Sequence, residues 1–295
     1  MRTLALKSGL APAAQTLAPS HEHRADGSSS TTTTGASQPV QHPVTKHFAA
    51  SLQRRERTVS LAELKILSQS FRRHEALSPQ QVAVAEALFT SLRGEALRAA
   101  MQPVTRDHRT LGYNDARRLI FGALDNRDGV VTDVYAGRPV RLAASLEDPG
   151  VNLEHVWPQD NGIEQSGAVT DLHNLLPADR EANMRRGNVP FGEVVDVVWH
   201  IGDSKLGTDA AGRLVWEPPS ELKGRIARIM CYVAVTYEQP IAPLDAATYL
   251  HWNRVHAVSD YERQRNADIA RLQGRTNPFV DNPTLVDRLL GASAT

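Results

Sequence analysis

The sequence predicts an α+β protein that is mostly helical. Three observations carry this expectation. Apolar residues recur at helical spacing over residues 59–101, 114–124, 219–236 and 244–273. Short β-branched runs at 130–134 and 140–142 read as strands, joined by a turn at Tyr135-Ala136-Gly137-Arg138. Between these blocks, residues 149–193 show little periodicity and are rich in His, Asn, Asp and Pro. An irregular polar stretch inside a globular domain is where chemistry is commonly held.

Taken in order, residues 1–58 read as a disordered, low-complexity tail. The start is mildly basic, and its apolar stretch is broken by Lys7, Gly9 and Pro12. A secretory signal needs a compact apolar run, so Sec export is not expected from this start. The run Ser-Ser-Ser-Thr-Thr-Thr-Thr at 28–34 is too polar to bury. His21-Glu22-His23 within it reads as part of a solvated tail rather than a metal site. Residues 59–110 form a helical leader. Ser60 and Glu63 make a capping box ahead of Leu61, Leu64, Ile66 and Leu67. Ser78-Pro79 opens a second helix carrying Val82, Ala85, Leu88, Phe89 and Leu92. This hairpin is either a partner module or the first helices of the main domain, which spans 111–291. Helices are expected again at 219–236 and, as one unit, at 244–273. The segment 276–283 closes the domain as an irregular stretch held by prolines and Phe279.

Composition excludes several classes. Lys plus Arg and Asp plus Glu each total 33, so a uniformly basic nucleic-acid binder is excluded, though a local basic face is not. No long apolar run suggests a membrane span. Cys231 is the single cysteine, which rules out an intrachain disulfide and a thiolate metal site. Any metal must then be held by oxygen and imidazole.

The chemistry concentrates in two halves. The first is Asn152-Leu153-Glu154-His155-Val156-Trp157-Pro158. The second is Thr170-Asp171-Leu172-His173-Asn174-Leu175-Leu176-Pro177, followed by Asn183, Arg186, Gly187 and Asn188. On a strand, Glu154 and His155 point to opposite faces, so each can address a different partner. Abundant oxygen donors beside imidazole suit Mg²⁺ and a general base. They suit zinc less, and neither HExxH nor a GxxxxGK phosphate loop is present.

These residues resemble the bacterial endonuclease I family of nonspecific nucleases. Upstream, Tyr113 with Ala116-Arg117 and Val134-Tyr135-Ala136-Gly137 match its pattern. Downstream, Lys223-Gly224, Ala227-Arg228 and Tyr232 match, as do Glu262, Arg265-Asn266, Ile269, Gln273-Gly274 and Asn277-Pro278-Phe279-Val280-Asp281. The likeness runs over roughly residues 111–290. It implies a ββα-metal (His-Me finger, HNH-related) core embedded in a mostly helical domain. It implies His155 as general base, Glu154 and Asn183 as Mg²⁺ ligands with Mn²⁺ or Ca²⁺ as substitutes, and Asn174 bracing the loop that carries the base. Arg186 stands with His155 and Asn174 in the implied catalytic set. Asp171, His173, Arg180 and Arg185 are candidates for support or phosphate contact. The implied substrate is DNA, with RNA as a second class, cut to 5′-phosphate and 3′-hydroxyl ends.

Bland readings stand beside these. His173 could cap a turn, Trp157 reads as core, and Arg117 and Arg228 could pair inside the fold. Some members of the family that the chain resembles place an Arg between the two halves to stabilise the phosphate. Residues 156–179 here contain no Arg or Lys, so that role falls to Arg180, Arg185, Arg186 or an upstream Arg, or is absent. A binding module without catalysis and a phosphodiesterase for small substrates are the rival readings. Without a Sec start, delivery by a non-Sec route as an effector, or a cytoplasmic role, is expected. An inhibitor (immunity) protein is then an expected partner.

Overall fold

The computed structural model describes residues 91–142 and 151–291. The tail at 1–58, the His21-Glu22-His23 cluster and the hairpin over 59–90 lie outside the described residues. The described chain is α+β, with helices packed around three small antiparallel sheets.

Helix α1 is Gly94–Thr105 and α2 is Tyr113–Leu119. The helix expected over 114–124 does not stay α: Ile120–Leu124 widens into a π-turn that buries Ile120, Phe121 and Leu124. Strands β1 (Asn126–Arg127), β2 (Val130–Thr132) and β3 (Pro139–Arg141) pair in that order. The turn expected after β2 is present, with Gly137 at φ +68, a conformation that favours glycine.

The irregular stretch 149–193 contains regular elements after all. β4 (Asn152–His155) pairs antiparallel with β5 (Leu175–Ala178), and α3 (Arg180–Arg186) follows β5 after one residue. Strands of four residues and a helix of seven are too short to display a period. A second element set escaped the sequence reading: the sheet β6 (Asp196–Ile201), β7 (Ser204–Thr208) and β8 (Leu214–Glu217). Val195, Val197 and Val198 are exposed, so β6 lacks the in–out alternation that marks a strand.

Helix α4 is Ser220–Thr236, close to the expected bounds, and every residue from Leu222 to Thr236 is buried. It is the central post of the larger core, and α1, α5, α7 and α8 pack on it. Leu97 and Met101 bring α1 into that core, so this part of the leader is a helix of the main domain. The single helix expected over 244–273 is two: α5 (Pro243–Val255) and α6 (Asp260–Gln273). His256 turns extended at φ −111, ψ 99, and the Ser259 side chain caps α6 by accepting from Glu262 N. Ser259-x-x-Glu262 is a capping-box signature, so the break was readable. The stretch expected to be irregular at 276–283 folds into α7 (Pro278–Asp281), capped by Asn277. Helix α8 (Thr284–Leu290) then buries Leu285, Val286 and Leu289.

Buried ion pairs lock this frame. Arg265 grips Asp125 with two nitrogens, at 2.8 and 2.9 Å, and donates to the carbonyls of Leu172 and Leu175. Arg228 grips Glu262 at 2.7 and 2.6 Å. Arg228 therefore pairs inside the fold, one of the two readings left open for it.

Candidate active site

In the β4–β5 register, Glu154 faces Leu176 and His155 faces Leu175. All of β5 is buried, so the strand pair is anchored on both sides. The chain leaves β5 into Asp179, whose carboxylate accepts from Glu181 N and Ala182 N and starts α3. Asp133 ties this corner to the β2–β3 turn. Its carboxylate accepts from the backbone N–H of Tyr135, Ala136 and Asp179.

Glu154 is buried, and its Oε1 accepts from the Tyr135 hydroxyl at 2.8 Å and meets Arg186 Nη1 at 3.1 Å. Both contacts fall on the same oxygen. Burial raises the Glu154 carboxyl above its ordinary range, and the Arg186 charge works against that rise. Asn183, half-buried on α3, donates its amide Nδ2 to the Leu153 carbonyl at 3.1 Å. That bond spends the donor end and sets Oδ1 as the free acceptor, one residue along β4 from Glu154.

His155 is nearly buried, with Nε2 at 2.9 Å from the Val169 carbonyl. A carbonyl only accepts, so Nε2 carries the proton and Nδ1 holds the lone pair. The Gln159 amide nitrogen lies 3.0 Å from Nδ1 and 3.1 Å from Nε2; with the proton on Nε2, Nδ1 is the ring nitrogen able to accept from it. Burial holds the imidazole below its ordinary pKa, so it is neutral at pH 7.

The other expected site residues divide between the interior and the surface. Asn174 is fully buried; its Oδ1 accepts from Trp157 N at 2.8 Å, and its Nδ2 donates to the carbonyls of Trp157 and Ala168. It thus closes the loop 156–174 behind His155. Arg186 is buried at the end of α3, donating to the His155 and Val156 carbonyls at 3.0 and 2.6 Å and stacking on Phe191. Asp171 accepts from the hydroxyls of Tyr232 and Tyr237, both at 2.9 Å, and from His173 N. His173 rests on Tyr232, with Nε2 against the Arg275 carbonyl at 3.1 Å. Arg185 is exposed, paired with Glu181 and stacked over Trp199. Arg180 is exposed at the first turn of α3. Trp157 is core, with its indole N–H on the Asn161 carbonyl.

Burial holds the His173 imidazole down at about 4. The unfolded chain would protonate it near its ordinary value, so stability is complete above about pH 6.5 and falls as pH drops toward 4. The difference amounts to roughly 3 kcal/mol at its full extent. Denaturant unfolding at pH 7 and pH 4.5 checks this. The His173→Gln variant should lose less stability between the two pH values than the parent.

Gln159 was not singled out from the sequence, and Tyr135 was read only as part of a turn and of an upstream motif block, although both touch site side chains. Tyr135 sits in a recognisable turn, and Asp133 two residues earlier is a common turn-opening residue. No sequence signal shows that the phenol reaches a carboxylate 19 positions away.

A carboxylate, a neutral imidazole and an amide oxygen thus stand together on one strand–strand–helix unit. The sequence model of endonuclease I matches residues 94–284, and the chain belongs to that family. It is 29% identical over 226 residues to an extracellular ribonuclease of Bacillus subtilis, covering 66% of this chain and 74% of that protein. It is 33% identical over 149 residues to an extracellular deoxyribonuclease of Aeromonas hydrophila, covering 44% and 65%. An endonuclease-1 of Buchnera aphidicola matches at 33% over 113 residues, covering 38% and 46%.

Proposed function

We propose that this chain is a metal-dependent, sequence-nonspecific endonuclease that hydrolyses DNA and RNA and leaves 5′-phosphate and 3′-hydroxyl ends. One observation carries the reading. The Asn183 amide is locked onto the strand that bears Glu154 and His155, and each of the three keeps a distinct chemical task.

His155 acts as the general base. Its Nδ1 takes a proton from the attacking water once the Gln159 amide yields that position. The Val169 carbonyl, holding Nε2–H, fixes the tautomer and stabilises the imidazolium that forms. Tyr135 and Arg186 hold Glu154 by Oε1, which leaves Oε2 for another partner. Oxygen donors of this kind fit a hard divalent cation, so Glu154 Oε2 and Asn183 Oδ1 would hold Mg²⁺, with Mn²⁺ or Ca²⁺ as substitutes. When bound, such an ion neutralises phosphate charge and favours departure of the 3′ oxygen. Among the described residues no group of three His, Cys, Asp or Glu side chains could hold a metal, and the proposed pair would be completed by water and phosphate. Arg186 is a positioning residue in this mechanism, because its guanidinium is occupied by Glu154 and two backbone carbonyls.

Purified protein should degrade plasmid and RNA with Mg²⁺ and stop when EDTA is added. Intact plasmid and intact RNA across several divalent metals would sink the reading. Glu154→Ala and Asn183→Ala should each weaken Mg²⁺ binding by at least tenfold in titration calorimetry, in line with the loss of one carboxylate or carbonyl ligand from a site with few. Unchanged affinity in both would remove the ligand assignment. Effector delivery and an inhibitor partner remain part of this reading, resting on the sequence alone. Among the described residues no helix is long and apolar enough to cross a membrane.

A further inference from the structure

A buried chain of hydrogen bonds ties the end of α1 to the loop behind His155. His108 stands three residues past α1, with Nδ1 3.0 Å from the Thr105 carbonyl. Its Nε2 lies 3.0 Å from the hydroxyl of Tyr237, the residue that ends α4. Tyr237 and Tyr232 both reach Asp171 Oδ2 at 2.9 Å. The side chains of His108 and Asp171 are 5% and 0% exposed, and Nε2 comes within 3.5 Å of that same oxygen. Asp171 belongs to the loop that serves the base. Its carbonyl accepts from Asn174 N, and Val169, two residues earlier, holds His155 Nε2.

The supply of hydrogens decides how this chain can close. Each of the four contacts, from Thr105 to Asp171, needs one hydrogen. The Thr105 carbonyl only accepts, so Nδ1 carries the first. Each phenol carries one more. With a neutral ring the set is one short. Lone pairs then meet either between Nε2 and the Tyr237 oxygen or between the Tyr237 and Asp171 oxygens. One added proton completes every contact. It belongs on the ring, because imidazole is a stronger base than a carboxylate. The closed chain is an imidazolium and a carboxylate joined through a phenol, and a buried carboxylate gains from such a partner.

The other charges around the ring have partners of their own. Among the described residues, Arg106 beyond α1 pairs with Glu238, and Arg275 beyond α6 pairs with Asp107. Arg265 on α6 pairs with Asp125. His173, on the loop itself, is neutral at pH 7, because burial holds it down at about 4.

We propose that His108, Tyr237 and Asp171 form a proton-operated latch on the loop 156–174, closed while His108 carries both ring protons and released when it loses one. Release frees the segment that bears Asn174 and the Val169 carbonyl, and that carbonyl fixes the tautomer of His155. The latch stands on geometry alone; its control of cleavage rests on the nuclease reading above.

Histidine-ring and amide NMR of 15N-labelled protein over rising pH tests the latch without catalysis. His108 should lose its Nε2 proton in one step. The Asn174 amide and the His155 Nε2–H signals should shift across the same step. In Tyr237→Phe those two signals should lose most of that shift while His108 still titrates, and in His108→Gln the step should vanish. Site signals that ignore the His108 step, or follow it undiminished in Tyr237→Phe, overturn the latch. Single-turnover cleavage by the parent should fall roughly tenfold or more across the step, the scale for a small misplacement of a catalytic group. The Tyr237→Phe rate should show no step there. A parent rate that stays flat while the NMR step is present overturns control of the site by the latch. A parent inert at every pH overturns the nuclease reading, and the NMR result still decides the latch.

Discussion

His155→Ala is expected to reduce turnover by roughly 10²–10⁴-fold while leaving Mg²⁺ affinity within a factor of about two. The reduction follows from the orientation of the ring. Val169 O fixes the proton on Nε2, and Nδ1 is the basic atom. Alanine removes that base without touching the Glu154 carboxylate or the Asn183 amide. The side chain is nearly buried, so unfolding must be measured alongside, and a folded variant is required for the comparison. Single-turnover cleavage with calorimetry of Mg²⁺ binding separates the outcomes. A variant that loses metal affinity along with turnover would make His155 a ligand and overturn its role as base. Gln159→Ala offers a milder counterpart, since the amide that occupies Nδ1 in the resting site is then gone.

Arg186→Ala is expected to cost about 3–5 kcal/mol of stability, the scale for breaking one partner of a buried ion pair. The guanidinium is nearly inaccessible to water and does three things at once. It neutralises Glu154, satisfies the His155 and Val156 carbonyls, and stacks on Phe191. Alanine leaves the carboxylate and both carbonyls without those contacts in a dry environment. Arg186→Lys should recover little, because an ammonium cannot span two carbonyls and a carboxylate as the planar fork does. Urea unfolding gives the stability. A variant as stable as the parent but much slower in cleavage would show that Arg186 acts on the substrate phosphate, and its positioning role would fall.

Much of the fold was legible because the long helices repeat their apolar faces over many turns. Helix α4 came out within a residue of its expected bounds. The elements that escaped were short or two-sided. β4 and β5 are four residues each, with β5 buried on both faces, so neither a period of two nor a long apolar run marks them. β6 turns three valines to solvent around its start. The break between α5 and α6 was written in Ser259 and Glu262, but an apolar rhythm on either side of it masked the signal.

The site divides in the same way. Glu154, His155, Asn174 and Asn183 were named from the order and residue types of a motif, and the fold gathers them on β4, the loop behind it and α3. Glutamate and histidine as neighbours on a strand already assign them to different partners, since alternate side chains leave opposite faces. Folding added what spacing cannot carry. It brought the Tyr135 phenol, from a turn 19 residues upstream, onto Glu154 Oε1. It set the Val169 carbonyl against His155 Nε2, so the proton has one place to sit. It drew Arg186 inward, where the low dielectric gives its pairing with Glu154 more weight than a surface contact would have. Residue types name the chemistry available; burial and hydrogen-bond partners, which depend on chain segments far apart in sequence, select the atom that performs it.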